Sequence, residues 1–399
     1  MSANRCFGVV AEFNPFHNGH AELCRQAREQ GASHLLAAMS GNFVQRGSFA
    51  VTDKWVRADA ALHGGIDMVI ELPLPYALSS ARQFARGAVS LLKSTGCVDG
   101  LCFGSESGEV GLLREAAQAV DDPRVIALTR DLQSAGITYA KARQAAVEEV
   151  CGEETARCLA TPNDILAVEY IRQCRLLSWN VEWIPIKRKG VAHDSISTGD
   201  RFASASYLRE HHMDEWRDYV PASAFAIYRE ASRNGRLPAA PQQMETAILS
   251  HLRRLPMEAL EQLPDISEGL ERRLYKAIRC SGSLAELELQ VKSKRYTLAR
   301  VRRLILCAFL GVRREHVEAA PPYIRIIGCN RKGTELLSEM KGAAIPVHTS
   351  LRQLSRQSAI CAALADLEAM SGDQYALSQP DVSRCGSEFS RSAIFDKEV

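Results

Sequence analysis

Apolar and polar residues alternate along the first 120 positions in a way that predicts strands and helices in turn. Short apolar runs typical of buried strands stand at residues 7–12, 34–39, 68–72 and 100–103. Helical spacing of apolar residues separates them, from about residue 18 and at 53–63 and 81–93. This alternation predicts a parallel sheet with helices on both faces. Such sheets bind ligands at the carboxyl ends of their strands, where the strand order reverses.

The periodicity of the remaining chain is mostly helical. Helical patterns run from residue 110 to about 177, a further strand is predicted at 181–186, and Ser204 is placed to cap a short helix. Near the end, an apolar run at 323–327 predicts one more strand. We expect three parts that differ in periodicity and composition: an α/β domain at 1–220, a mainly α-helical domain at 221–370, and a poorly ordered tail, rich in Ser, Gly and Asp, at 371–399.

The composition is that of an ordinary soluble globular protein. The 399 residues are 46% hydrophobic and 24% charged, with a formal net charge of only +2, so any affinity for nucleic acid must come from local clusters of charge. No apolar run reaches the ~20 residues that cross a membrane, and residues 1–5 do not resemble a signal peptide. The 12 cysteines are scattered without a Cys-x-x-Cys pair. We therefore expect reduced thiols, no metal or disulfide framework, and a cytoplasmic protein.

The most specific motif is His17-Asn18-Gly19-His20, between the first predicted strand and the first predicted helix. Two histidines three positions apart at a helix start can face the same side, and Gly19 lets the backbone come close to a ligand. The helix N-terminus would add free N–H groups and a partial positive charge. Together they would suit a triphosphate from which pyrophosphate departs. The alternatives are histidines that only cap or pack, and a metal site, for which no third ligand is evident.

Several ordered motifs resemble those of a known family. His-x-Gly-His resembles the signature of the HIGH-type nucleotidyltransferase superfamily, and a closer similarity is to the tRNA(Met) cytidine acetate ligase family. It rests on EFNPFHNGH at 12–20, SGNFVQRG at 40–47, FGSE at 103–106, PNDIL at 162–166 and IKR at 186–188. The match covers about the first 210 residues and continues more loosely beyond them. The resemblance implies a Rossmann-like parallel-sheet nucleotidyltransferase domain, ATP and acetate as substrates, acetyl-adenylate as intermediate, and the wobble cytidine of elongator tRNA(Met) as acceptor.

The resemblance also implies the residues of the site, with His17 and His20 as the catalytic pair. The implied ATP contacts are Val10, Ala11, Glu12, Phe13, Asn14, Pro15, Phe16, His17, Asn18, Gly19, His20, Gly104, Asn163 and Arg188. Considered physically, Gly104 at a strand end would let a nucleotide lie on the backbone, or would be an ordinary turn glycine. Asn163 would cap the following helix, contact ATP, or do both. Arg188, in a basic run, would bind phosphate or be solvated.

A later segment, ASASYLR at 203–209, resembles the superfamily's Ile-Ser-Ser-Thr-x-x-Arg motif, which grips the leaving phosphates. Ala205 and Ser206 depart from that pattern, so one hydroxyl donor is missing. The candidate phosphate contacts outside the family's ATP residues are Lys54, Lys187, Ser204, Ser206 and Arg209. Lys54 and Arg57 share the predicted helix at 53–63, and exposed helix charges would explain them equally well.

A basic region at 289–314 is the second informative stretch, because it contains no acidic residue. The residues predicted to bind tRNA are Lys292, Lys294, Arg295, Arg300 and Arg303. An apolar stripe along the helix would let Arg300 and Arg303 point away from the core, and Tyr296 would add a stacking surface. Such a helix suits an RNA backbone, whereas a merely solvated basic face is the alternative.

The chemistry that the resemblance implies needs few special residues in its first step. Acetate is already ionised at neutral pH, so the enzyme has mainly to position it and to neutralise the departing pyrophosphate. ATP, as a substrate and with Mg²⁺, is the only cofactor we expect; elongator tRNA(Met) and acetate are the expected partners. Two rival functions stay open at this point: a small-molecule adenylyltransferase without an RNA substrate, and a non-catalytic RNA-binding protein on the same scaffold.

Overall fold

A computed structural model describes residues 5–188, 201–267 and 269–396. The strands are β1 (Cys6–Ala11), β2 (His34–Ser40), β3 (Phe43–Val44), β4 (Ser48–Phe49), β5 (Met68–Leu72), β6 (Gly100–Ser105), β7 (Glu182–Lys187), β8 (Ile324–Asn330), β9 (Val347–His348) and β10 (Ile394–Asp396). The predicted strands of the first 187 residues are confirmed within two residues. The short hairpin β3–β4 and the late strands β9 and β10 were not predicted, because two or three residues are too few to show a period.

The helices of the first half surround the strands: α1 (Asn18–Glu29), α2 (Lys54–Leu62), α3 (Leu74–Ala77), α4 (Ala81–Thr95), α5 (Val110–Ala119), α6 (Pro123–Ser134), α7 (Tyr139–Cys151), α8 (Glu153–Arg157), α9 (Pro162–Leu176) and α10 (Ala205–Glu210). Those of the second half are α11 (Ala222–Arg233), α12 (Glu245–Arg254), α13 (Met257–Glu261), α14 (Leu270–Cys280), α15 (Leu284–Val291), α16 (Leu298–Leu310), α17 (Glu315–Glu318), α18 (Gly333–Glu339), α19 (Leu351–Ser355), α20 (Ala359–Ala376) and α21 (Ser387–Ser390). In the described ranges, none of these helices is long and apolar enough to span a membrane.

The main sheet has the order β10-β8-β5-β2-β1-β6-β7, and β9 pairs with β8. The strands from β5 to β7 in this order are all parallel to their neighbours, whereas β8 runs antiparallel to β5. The predicted Rossmann-like parallel sheet is therefore confirmed. Its strand order reverses between β1 and β6, which is where open α/β sheets bind ligands.

Both faces of the sheet are covered, as predicted. Along β2, Leu35, Ala37 and Met39 pack in one cluster with α1 and α2, and the alternating Leu36 and Ala38 pack in another with α4 and α9. This alternation follows from the two-residue period of a strand. A third cluster unites helices α12 to α16 and α20, and Phe43 and Phe49 of the β3–β4 hairpin join it. The hairpin thus lies between two strands of the sheet in the chain, but its side chains pack against the C-terminal helices.

The C-terminal part completes the sheet rather than standing apart from it. The predicted apolar run at 323–327 forms β8, and β10 pairs parallel to it from Ile394 onward. The mainly helical character of this part is confirmed, and the boundary near residue 220 stays a prediction.

The expectation of a poorly ordered tail is wrong for residues 371–396. Helix α20 continues through Ser371, whose Oγ donates to the Glu368 carbonyl oxygen at 2.8 Å. Gly372 lets Glu388 pack closely, since an added Cβ would lie 2.9 Å from the Glu388 Cγ. The segment is ordered by buried polar and charged contacts, so its polar composition misled the prediction.

Candidate active site

A cavity of about 420 Å³ opens at the carboxyl ends of β1, β6 and β7, beside the reversal of strand order. Of the predicted site residues, its wall contains Val10, Ala11, Glu12, Phe13, Asn14, His17, Gly19, His20, Gly104, Asn163, Lys187, Arg188, Ser206 and Arg209. The fold thus brings together segments that are separated by up to 199 positions in the chain (10 to 209). Pro15, Phe16 and Asn18 are not among the lining residues of the cavity; Phe16 is fully buried, and its N–H donates to the Tyr228 hydroxyl at 2.8 Å.

The two histidines of the motif are fixed by backbone contacts. The Nδ1 atom of His17 accepts from the Gly19 N–H at 3.0 Å, and the Nδ1 atom of His20 accepts from the His17 N–H at 3.2 Å. Their rings stack with centroids 3.8 Å apart. Because Nδ1 is the acceptor in both rings, the neutral imidazoles carry their proton on Nε2. The pair can therefore supply two N–H donors at the cavity, which suits oxyanions of a departing phosphate group.

The backbone N–H groups at the start of α1 are already paired, which corrects the prediction of free donors there. The Asn18 N–H donates to the Tyr219 carbonyl oxygen at 2.8 Å, and the N–H groups of His20 and Ala21 donate to the His17 carbonyl oxygen at 2.9 and 3.1 Å. The reason is that His17 caps its own helix with both side chain and backbone. An anion at this helix start would meet imidazoles and the partial charge of the helix rather than open N–H groups.

The turn between β1 and α1 is held by Arg57, which is fully buried. Its guanidinium donates to the carbonyl oxygens of Glu12, Ser40 and Gly41, at the carboxyl ends of β1 and β2. Arg57 is thus neither an exposed helix charge nor a phosphate contact. The sequence could not show this, because the carbonyl groups that it binds come from two other elements.

Asn163 lies inside the first turn of α9, so its interpretation as the N-cap is wrong; Thr161 is the capping residue. The Asn163 Nδ2 donates to Glu106 at 2.6 Å, and the Asp164 N–H donates to the same carboxylate at 2.9 Å. In return, the Asp164 carboxylate accepts from the N–H groups of Glu106 and Ser107, both at 3.0 Å. This reciprocal network joins the end of β6 to α9 and orients the Asn163 amide on the cavity wall.

Gly104 and Arg188 lie side by side at the ends of β6 and β7. An added Cβ at Gly104 would meet the Arg188 Cγ at 3.7 Å and nothing nearer, so a small side chain would fit there but would narrow the cavity. The Arg188 N–H donates to the Ser105 carbonyl oxygen at 3.0 Å, which anchors the end of β7. The last residue of the predicted basic run, Lys189, lies outside the described residues.

Helix α10 brings a further cation, Arg209, to the cavity. The Arg209 Nη1 donates to the Asn14 carbonyl oxygen at 2.7 Å, and its Nη2 donates to the Ser206 Oγ at 3.0 Å. Ser204 is buried, and its Oγ accepts from the Tyr207 N–H at 3.0 Å. Ser204 is therefore the predicted helix cap and lies off the cavity wall, whereas Ser206 and Arg209 line it.

Lys54 does not reach the cavity, so its interpretation as a phosphate contact is wrong. The side chain is 1% exposed, and Nζ lies 2.5 Å from Glu71 and 2.8 Å from Glu388. Burial lowers the pKa of Lys54, but the two carboxylates outweigh it, and the pKa lies above its ordinary value. Arg325 lies between the same carboxylates, which completes a charge cluster between α2, β5, β8 and α21.

Two arginines of the predicted tRNA-binding helix face inward, contrary to the prediction. The side chain of Arg303 is 11% exposed; its Nη1 donates to the Gln45 carbonyl oxygen at 3.2 Å, and burial lowers its pKa. Arg300 donates to the Asp265 carbonyl oxygen and to the Ser267 Oγ at 2.8 Å. Tyr296, the expected stacking surface, is buried. The apolar stripe of α16 was identified correctly. The loop at 265–267 and the β3–β4 turn, however, contact the neighbouring side of the helix, where Arg300 and Arg303 lie.

Comparisons with known proteins establish the family of this chain. The family model of the HIGH Nucleotidyl Transferase matches residues 4–388. The tRNA(Met) cytidine acetate ligase of Thermoanaerobacter sp. (strain X514) is 38% identical over 359 residues, which cover 87% of this chain and 88% of that protein. The chain belongs to the tRNA(Met) cytidine acetate ligase family.

Two solved structures share the fold of this ligase-family chain. The crystal structure of apo Thermotoga maritima TmcAL aligns with a TM-score of 0.92 at 35% identity and covers 98% of this chain and 100% of that one. The structure of the same protein bound with alpha-thio ATP aligns with a TM-score of 0.90, at the same identity and coverage.

The cavity wall of this ligase-family chain also contains residues that were not predicted for the site. Gln45 and Arg46 reach it from the β3–β4 turn, and Phe84, Leu166 and Tyr170 reach it from α4 and α9. Gln45 and Arg46 stand within the SGNFVQRG segment and Leu166 within the PNDIL segment, so the resemblance could have pointed to them. Phe84 and Tyr170 lie on helices whose apolar faces look like ordinary core positions, and nothing in the sequence distinguishes a core residue from a cavity-lining one there.

Proposed function

We propose that this chain is an ATP-dependent ligase that activates acetate as acetyl-adenylate and transfers the acetyl group to the wobble cytidine of elongator tRNA(Met). The observation that carries the proposal is the pair of Nε2-protonated histidines, set with Arg188 and Arg209 around a cavity at the reversal of strand order. Family membership supports the substrates.

In the first half-reaction, the acetate oxygen attacks the α-phosphorus of ATP, and the bond to pyrophosphate breaks. A carboxylic acid with a pKa near ~4.3 is already ionised at neutral pH, so this step needs no base. The chain has to align the reactants and stabilise the leaving group. His17 and His20 would donate to oxygens of the leaving group, and Arg188 and Arg209 would neutralise its charge.

ATP would bring Mg²⁺ with it, held mainly by its own phosphates. Among the described residues, no group of three or more His, Cys, Asp or Glu side chains is placed to hold a metal ion. Mg²⁺ commonly keeps several waters and binds through substrate phosphates with few protein ligands, which such a site allows. The ion would add positive charge at the phosphates.

In the second half-reaction, the exocyclic amine of cytidine attacks the acetyl carbonyl carbon, and AMP departs. The base has to leave the stack of the anticodon loop to enter the cavity.

We propose that the RNA backbone binds the exposed Lys292, Lys294 and Arg295. Helix α14 would extend this basic surface with further exposed cations, Arg272, Arg273 and Lys276. Arg273 donates to the carbonyl oxygens of Gln290 and Lys292, so the two parts of the surface adjoin. A tRNA substrate implies a cytoplasmic location.

ATP–pyrophosphate exchange tests the proposal without RNA. Exchange should require acetate and should not be supported by a phosphate-monoester acceptor. Dependence on a phosphate monoester instead would favour a small-molecule adenylyltransferase, and no exchange with any acid would favour a non-catalytic RNA-binding protein.

A further inference from the structure

The proposed second half-reaction releases a proton that the histidines are poorly placed to take. The cytidine amine loses this proton as its nitrogen bonds to the acetyl carbon. The Nε2 atoms of His17 and His20 are already protonated, because their Nδ1 atoms accept backbone N–H groups. A base must therefore come from elsewhere, and two described acidic side chains line the cavity, Glu12 and Glu22.

Glu22 is neutralised by its own helix. Its Oε2 accepts from the Arg25 Nε, and its Oε1 accepts from the Arg25 Nη2, both at 2.7 Å. Gln26 donates to Oε1 as well, at 2.7 Å. A carboxylate in a two-pronged pair with arginine is stabilised in its charged form and is a weak proton acceptor.

Glu12 is held quite differently. It follows directly after β1, at the carboxyl end of the central strand. Its Oε1 accepts from the Gln45 N–H at 2.8 Å, and no described residue donates a hydrogen bond to its Oε2. A single backbone donor fixes the direction of the carboxylate and leaves it without an ion-pair partner among the described residues. Burial is the main cause that raises the pKa of the neighbouring Tyr170 hydroxyl, and the negative charge of Glu12 raises it further.

A carboxylate here works against the first half-reaction, in which both acetate and ATP arrive as anions. Like charges in a partly buried site repel each other appreciably. Its presence is therefore explained better by the second half-reaction, in which a neutral amine becomes acidic as it forms a bond.

We infer that Glu12 is the general base of acetyl transfer, an inference that rests on the proposed function. As the cytidine nitrogen bonds to the acetyl carbon, the bond from that carbon to the AMP oxygen breaks, and AMP leaves with the electron pair. The amine proton passes to Glu12 Oε2 and later to water. The products are N-acetylcytidine, AMP and the released proton, so charges and atoms balance. Gln45 is a positioning residue in this step.

The test compares Glu12→Gln with the control Glu29→Gln, at an exposed position of α1 that does not line the cavity. Glutamine keeps an acceptor oxygen for the Gln45 N–H but cannot take a proton. In E12Q, single-turnover transfer from acetyl-adenylate to tRNA should fall about 10²–10⁴-fold, and this loss should be much larger than any loss of acetate-dependent ATP–pyrophosphate exchange. The pH dependence of that transfer should disappear in E12Q. The control should resemble wild type in all three measurements, and E12D should regain part of the transfer rate.

Three outcomes would overturn the inference. Equal losses in exchange and transfer would make Glu12 a structural or nucleotide-binding residue. A changed Mg²⁺ requirement for exchange would make it a metal ligand. Normal transfer in E12Q would assign the proton to the departing AMP phosphate. If wild type itself shows no acetate-dependent exchange, the proposed function fails first, so the two failures are distinguishable.

Discussion

His17 and His20 depend on neighbouring backbone N–H groups for the position of their protons. Each Nδ1 accepts such a group, so each neutral ring carries its proton on Nε2, and both residues line the cavity. The sequence predicted that the two imidazoles share a side, because a spacing of three at a helix start allows it. It could not predict the tautomer, which follows from the capping geometry.

Replacing His17 by Asn separates its capping role from its role as a donor. Asparagine is a good helix cap and can accept the Gly19 N–H, but it lacks a donor at the Nε2 position. Acetate-dependent exchange should fall about 10²–10³-fold with little change in the melting temperature. His348, whose Nδ1 also accepts a backbone N–H at 2.8 Å but which is exposed and does not line the cavity, provides the control H348N. Equal exchange rates in the two variants would remove His17 from the mechanism.

Glu368 is buried beside the charge cluster of Lys54, Glu71, Arg325 and Glu388 and makes the stability of the protein depend on pH. Burial and the neighbouring Glu71 raise its pKa from 4.5 to about 8, so the folded protein keeps a proton that the unfolded chain releases near pH 4.5. The free energy of unfolding should therefore fall as the pH rises from about 4.5 to about 8. E368Q should flatten this dependence in urea unfolding at a series of pH values, while D366N, at an exposed position of the same helix, should not. The same slope in E368Q as in wild type would contradict the raised pKa.

At the level of elements, the β3–β4 hairpin connects the cavity to the helical region. Gln45 binds Glu12 with its N–H and Arg303 with its carbonyl group. Gly47 packs so closely on α16 that an added Cβ would lie 2.6 Å from the backbone nitrogen of Arg303. Its φ of +77° also favours glycine. The sequence showed the SGNFVQRG motif and the basic helix separately. Their contact could not be predicted, because Gln45 and Arg303 are 258 positions apart in the chain.

Arg303→Ala should therefore impair adenylation, although the residue belongs to the basic helix. Loss of the Gln45 contact would free the turn that lines the cavity, and a displacement far from the reacting atoms can reduce a rate by up to about 10²-fold. The control is Arg302→Ala, because Arg302 is exposed and pairs only with Glu288 at 3.0 Å among the described residues. Exchange rates that do not differ between the two variants would show that the hairpin is positioned without Arg303.

For the whole molecule, the sequence predicted the fold and the site better than the RNA surface. The parallel sheet followed from the alternation of strand and helix patterns, and most of the cavity wall followed from local motifs, since β1, β6 and β7 each end in one of them. The tail, the placement of Lys54 and the direction of Arg303 were predicted wrongly. Each of these three placements depends on contacts between segments that are far apart in the chain. Such contacts could not be predicted, because local periodicity carries no information about them.

The revised prediction is that Lys292 and Lys294 bind tRNA, because both side chains are exposed. The double alanine variant should bind tRNA more weakly, and the log–log salt dependence of binding should flatten by about 0.7–0.9 for each lost phosphate contact. Pyrophosphate exchange should be unchanged. Replacing the exposed Arg124 and Arg130 of α6 by Ala removes the same charge elsewhere and should leave the slope as it is. If both double variants change the slope alike, tRNA binding depends on overall charge rather than on this surface.

Transfer of acetate to tRNA can be followed in a single reaction. Bulk tRNA is incubated with the protein, ATP and isotopically labelled acetate, and its nucleosides are then separated and analysed by mass spectrometry. We expect labelled N-acetylcytidine that forms only when ATP is present and that maps to the anticodon loop of elongator tRNA(Met). Labelled acetylcytidine without ATP, or ATP cleavage with no label in tRNA, would contradict the proposed ligase function.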